Sequence, residues 1–152
     1  MENQKEIKLS SNWTNFGAYI SLIISLMLIP LFYFLFKQEP EFHVKMLIFG
    51  AIIIAIVGLA IYQFLFSSDA RIVDDKLILK KIFRPSKSYS FDKIGYPSSF
   101  QWKRTKYITI EMVNEDKSLE KYLIINNSHL LAFENKDAES ALISLRGISR
   151  GK

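Results

Sequence analysis

FGAYISLIISLMLIPLFYFLF, residues 16–36, and MLIFGAIIIAIVGLAIYQFLF, residues 46–66, decide the fold of this chain. Each is a run of 21 residues without an Asp, Glu, Lys, Arg or His. A hydrocarbon core about 30 Å thick is crossed by roughly 20 helical residues rising about 1.5 Å each, so both runs are long enough to span it. Within lipid a lone segment satisfies its backbone groups only as a helix. The 86 residues after Phe66 are too few to wrap two such helices on every side as a soluble core. The runs therefore predict transmembrane helices over 16–36 and 46–66, joined by a loop over 37–45 in which Pro40 interrupts helical continuation. Phe32, Tyr33, Phe34, Leu35 and Phe36 close the first run with large side chains, whereas a signal-peptide cleavage site needs small ones. The first run is read as a retained anchor.

Charge sets the orientation. The chain of 152 residues carries a formal +5, and residues 1–15 and 37–45 are each balanced. The whole excess follows the second run, where 16 Lys/Arg face 11 Asp/Glu. Arg71, Lys76, Lys80, Lys81 and Arg84 come soon after Phe66, and basic residues beside a span mark the cytoplasmic side. The expectation is a multi-pass plasma-membrane protein with both termini cytoplasmic, residues 1–15 forming a tail and 37–45 an extracytoplasmic loop. Trp13 and Tyr62 fall near the cytoplasmic interface in this register.

Gly17, Ser21 and Ser25 form a small-residue stripe on the first helix, and Ala51, Ala55 and Gly58 form one on the second. Small residues let helices approach in lipid, where apolar burial does not drive association. The stripes predict an antiparallel hairpin with Ser25 level with Val57 and Gly58; a homo-oligomer seam stays open beside it. With no ionisable group in either run, the hairpin lacks the equipment of coupled transport. Pro30 is read as a kink.

Residues 67–152 alternate short apolar runs with turn clusters, the pattern of an antiparallel meander. Strands are expected at 70–73, 77–83, 88–91, 100–102, 107–113, 119–125 and 129–133. Ile108, Ile110 and Met112 share one face of their strand. Ala138, Ala141, Leu142 and Leu145 follow helical spacing, with Gly147 as the expected stop. The fold class is a membrane helical hairpin plus an α+β domain, an antiparallel sheet or barrel closed by a C-terminal helix.

This order of two spans, a run of short strands and a terminal helix resembles small bacterial pleckstrin-homology-like (PH-like) membrane proteins. Ile72-Val73-Asp74-Asp75-Lys76-Leu77-Ile78-Leu79 is similar to their opening hairpin, and Tyr89-Ser90-Phe91-Asp92-Lys93-Ile94 resembles their aromatic-x-x-Ile step. Ser90 stands where that step commonly has Pro. The resemblance implies a scaffold whose strands and loops bind partners or lipid headgroups, and it carries over no catalytic residue. Proteins of similar layout include some labelled pore-forming and some serving bacteriocin immunity, which by analogy alone are the competing readings.

Lys80, Lys81, Arg84 and Lys87 cluster on one strand-turn-strand unit near the second span. Basic groups close to an anionic leaflet gain about 1 kcal/mol each, which suits headgroup contact. The same charges also serve to block edge-to-edge strand pairing. Trp102, Lys103, Arg104, Lys106 and Tyr107 mix rings with cations, as single-strand binders do, but read here as a turn tip beside a core Trp. No nucleic acid is expected. His43 and His129 lack metal-ligand spacing, there is no cysteine, and Asp74 and Asp75 are turn formers. Neither a Gly-x-Ser-x-Gly elbow nor a Gly-rich phosphate loop occurs. The expectation is a non-enzymatic module without cofactor or metal, whose partners are the lipid bilayer and another membrane or cytoplasmic protein.

Overall fold

The computed structural model describes residues 6–11, 14–38, 44–127 and 137–150. The expected strand at 129–133, His43, His129, Trp13 and Pro40 lie outside the described residues. The chain divides into two units: a helical hairpin over 16–65, and a sheet unit built from residues 1–15 together with 66–152.

In the hairpin, α1 covers Thr14–Gln38 and α2 covers Val44–Phe66, each two residues or so longer than an apolar run at one or both ends. Both are long and apolar enough to cross a membrane. Tyr19 meets Phe64 edge-on with centroids 5.7 Å apart, and Phe32 meets Phe49 at 6.1 Å, which fixes the antiparallel register expected from the sequence. The seam follows the expected stripe at Ser21 and Ser25 of α1, which are sheltered, but differs from it at Gly17 and on α2. Ala51, Ala55 and Gly58 are exposed, while Met46, Gly50, Ile53, Val57, Ala60 and Phe64 are among the sheltered positions of α2. Their alternating steps of four and three are the spacing at which side chains of two packed helices interlock. The close approach is at Gly50, where an added Cβ would sit 3.2 Å from the Phe32 ring; Gly17 and Gly58 have open space beside them. The pair is held by the Phe32 ring over Gly50 and the Tyr19–Phe64 contact, with the small Ala18, Ser25 and Ala60 buried between. Ser25 donates to the Ser21 carbonyl at 2.6 Å and Ser21 to that of Ala18 at 3.0 Å, so both hydroxyls are satisfied within their own helix.

The sheet unit begins before the hairpin. β1, Glu6–Lys8, pairs antiparallel with β2, Ser68–Val73, with Ile7 opposite Ile72. The expected tail is therefore partly a strand of the domain, and Leu9 follows it into the core at 3 % exposure. A three-residue strand has too few residues to show period-two alternation, which is why the sequence did not announce it. Arg71 binds it on the outside, reaching Asp69 at 2.8 Å and Glu6 at 2.8 Å.

β3, Lys76–Lys81, and β4, Lys87–Ser90, complete a four-stranded sheet in the order β1-β2-β3-β4. β5, Ser98–Trp102, β6, Thr105–Val113, and β7, Leu119–Asn127, form a second sheet in sequence order. Ser67 bridges to Leu123, and Ser11 donates its N–H to the Ile125 carbonyl at 2.8 Å, so the two sheets meet where the chain enters and leaves the hairpin. Among the described residues these are two sheets, edged by β1 and β4 and by β5 and β7, and no closed barrel is formed.

Two strand ends differ from expectation. β3 stops at Lys81 because the Lys81 carbonyl accepts the Arg84 N–H at 3.2 Å, leaving Phe83 in the turn. β4 stops at Ser90, and Phe91–Lys93 form a single 3₁₀ turn. Inside, Ile108, Ile110 and Met112 share the core face as their spacing predicts, joined by Leu77, Leu79 and Ile124. Gly95 donates its N–H to the Glu111 carbonyl, and a Cβ there would fall inside contact distance of that oxygen, so this close approach requires glycine.

α3, Ala138–Arg150, closes the core with Ala138 and Leu142, both fully buried, and with Ala141 and Leu145 beside them. Asp137 starts it by accepting from Glu139 N–H and Ser140 Oγ, and Lys106 of β6 pairs with Asp137 at 3.0 Å and Glu139 at 2.6 Å. The helix runs through Gly147 rather than stopping there. A helical glycine costs about 1 kcal/mol, which does not end a helix by itself. Trp102, read as a core ring, is instead 64 % exposed, because it lies on edge strand β5 and faces outward.

Candidate functional site

The four basic residues singled out in the sequence do not all lie on one face. Neighbours in a strand point to opposite faces. Lys80 is exposed and sits opposite Asp69 in the ladder, whereas Lys81 turns inward at 5 % exposure. Arg84 and Lys87 come back to the Lys81 side across the turn. These three converge on Glu120 of β7: Lys81 Nζ is 2.9 Å from one carboxylate oxygen, Arg84 Nη1 is 3.5 Å from the same oxygen, and Lys87 Nζ is 2.7 Å from the other. Lys81 Nζ also lies over the Tyr122 ring at 4.4 Å and 5.6 Å from the Phe66 ring.

The cluster lines a cleft of about 290 Å³ with Asn114, Leu119 and Tyr122. Behind it the tyrosines form a relay of fixed direction. The Tyr89 and Tyr122 hydroxyls are 2.8 Å apart, and Tyr89 lies 2.7 Å from Asn114 Oδ1. Asn114 Oδ1 can only accept, so Tyr89 donates to it and receives the Tyr122 proton. Burial, then the donation to Tyr89, pushes the Tyr122 hydroxyl well above the ordinary tyrosine range. Tyr89 is raised as well, chiefly by burial. Burial would lift Glu120, but Lys87 and Lys81 outweigh it and hold its carboxyl at about 2. Glu120 in turn raises Lys87. Tyr122, Tyr89 and Lys87 are thus raised and Glu120 lowered, each shifted further from neutral pH. The chemistry on offer is charge: three cations on one carboxylate leave two positive charges in excess, and Arg84 and Lys87 are 62 % and 47 % exposed.

Glu120, Asn114, Tyr89 and Tyr122 were not among the residues picked from the sequence. A usable signal was present. With Ile124 in the core, period two puts Tyr122 and Glu120 on the same inward face of β7, and a carboxylate there requires cations. Among the described residues no three His, Cys, Asp or Glu gather to hold a metal ion. No family model matches the sequence, and no curated protein or solved structure matches the chain.

Proposed function

We propose that this chain is a non-enzymatic, two-span protein of the plasma membrane whose cytoplasmic domain, a PH-like fold interrupted by the hairpin, engages the anionic lipid surface through Arg84 and Lys87, with Lys80 alongside. The observation that carries the reading is the position of the cluster. Lys81 pairs in the ladder with Ser68, two residues after α2 ends at Phe66, and its ammonium lies 5.6 Å from the Phe66 ring. Exposed cations held at that level are within reach of headgroups, and two of them gain about 2 kcal/mol, roughly a factor of 30, from an anionic leaflet.

The PH-like part of the reading is supported by a four-stranded and a three-stranded antiparallel sheet followed by a terminal helix. The pairing of β1 with β2 favours an even number of spans, since strands on opposite sides of a bilayer cannot share a ladder. The basic surplus after Phe66 favours the cytoplasm.

The test is amide exchange on the full chain in nanodiscs with and without phosphatidylglycerol. Anionic lipid is expected to slow exchange over 82–87, and high salt or Arg84→Gln to abolish that effect. Equal exchange in both discs, with the fold intact, rejects the reading.

A further inference from the structure

Phe83 is 82 % exposed and adopts φ 59°, in the left-handed region. The other described residues with positive φ are Asp74, Lys103 and Lys117, all polar and all in hairpin turns. A bulky apolar residue in that region is an outlier, and such strain persists where it serves a use. The turn fixes the conformation. The Lys81 carbonyl accepts the Arg84 N–H, so Phe83 holds the third turn position, which ordinarily selects Gly or Asn when φ is positive.

The direction of the turn follows from the register. β2 and β3 are antiparallel, and the last pair of their ladder is Ser68 with Lys81. Residues 82–84 therefore run on past the Ser68 end of the sheet, the end at which the chain emerges from α2. Counting two residues on from that pair reaches Phe83 in one direction and Phe66, the last residue of the second apolar helix, in the other. Arg84 follows it and Lys80 precedes it, both exposed. An apolar ring at the tip of a short turn, flanked by cations and close in the fold to where the chain leaves an apolar helix, has the composition of a membrane-interface anchor.

We propose that Phe83 inserts into the acyl boundary of the same bilayer that holds the hairpin, so that the β3–β4 turn is a third membrane contact. This rests on the hairpin spanning the membrane, and it goes beyond surface charge by assigning an apolar contact to one ring. The ring is placed by the fold and owes nothing to anionic lipid, so insertion is independent of headgroup charge.

The experiment uses the full chain with Trp13 and Trp102 replaced by Phe and the single substitution Phe83→Trp, reconstituted in phosphatidylcholine vesicles. Lipids brominated near the top of their acyl chains are expected to quench the Trp emission by about half or more, and aqueous iodide to quench it little. Quenching by iodide without quenching by bromolipid overturns the proposal. So does protection from both, which would mean that protein covers the ring. The vesicles carry no anionic lipid, so bromolipid quenching that survives there supports insertion even if exchange over 82–87 proves indifferent to phosphatidylglycerol. A turn made by Phe83→Gly, which accepts φ 59° without strain, supplies the second measurement. Its 82–87 amides are expected to exchange several-fold faster in phosphatidylcholine discs than those of the unmodified chain, with unchanged exchange in β6. Equal exchange in the turn overturns the proposal.

Discussion

Glu120→Gln is expected to be the most damaging single substitution of a polar side chain in the sheet unit. The carboxylate is 14 % exposed and holds Lys81, which is 5 % exposed, at 2.9 Å. Its carboxyl lies at about 2, against the ordinary 4.5. At about 1.4 kcal/mol per pH unit that difference corresponds to about 3–4 kcal/mol. Water enters beside Arg84 and Lys87, so screening brings the electrostatic part to about 2 kcal/mol. Gln keeps the shape and removes the charge, stranding the Lys81 ammonium, so the total loss is about 2–3 kcal/mol. For a unit of roughly 100 residues that lowers Tm by roughly 10–20 °C at neutral pH. The assay is thermal unfolding of the full chain in mild detergent, followed by near-ultraviolet circular dichroism. A lowered folded-state value means that the contribution is complete above the unfolded value near 4.5 and fades as pH falls toward about 2. The gap between the two proteins should therefore narrow from about pH 5 to about pH 3. Lys81→Met in the Gln background should recover most of the loss, because it removes the stranded charge. A Glu120→Gln protein that melts within about 2 °C of the unmodified chain at neutral pH would refute the electrostatic account.

Leu9→Ala should cost about 2–4 kcal/mol although Leu9 precedes both apolar helices, since it is 3 % exposed in the core of a domain built mainly from residues 66–152; the same melting assay reads it. Gly95→Ala should destabilise by about 1–3 kcal/mol, because the new methyl meets the backbone oxygen of Glu111, and exchange of the Gly95 amide should accelerate with it. Phe83→Gly should raise Tm in detergent by a few degrees through about 1 kcal/mol of relieved left-handed strain; a fall in Tm would show that the ring is held by contacts within the domain.

The two helices were legible because 21 uncharged residues in a row have few other uses. The strands were legible where alternation is long, as in Ile108-x-Ile110-x-Met112, and lost where local geometry ended them. The Phe83 turn is such a case: nothing in Leu77 to Phe83 says that the Lys81 carbonyl will close on Arg84. Trp102 shows the limit of inferring burial from residue type, since an edge strand exposes rings that a central strand would bury. The seam was placed correctly at Ser21 and Ser25 of the first helix and misplaced on the second, because small residues mark where close packing is allowed while a ring such as Phe32, over Gly50, decides where it occurs. The cleft was half visible. Three of its cations stand together in sequence, but their carboxylate lies on β7, more than 30 residues away, and only the pairing of the sheets brings it to them.

A domain whose first strand precedes the hairpin and whose remainder follows it must have both parts on one side of the membrane. The absence of cysteine makes this directly measurable. Single cysteines at Glu6, Gln38 and Lys117 can be tested in intact cells with a membrane-impermeant maleimide, before and after permeabilisation. The account predicts labelling of position 38 from outside, and labelling of positions 6 and 117 only after permeabilisation. Labelling of positions 6 and 117 from opposite sides would contradict it.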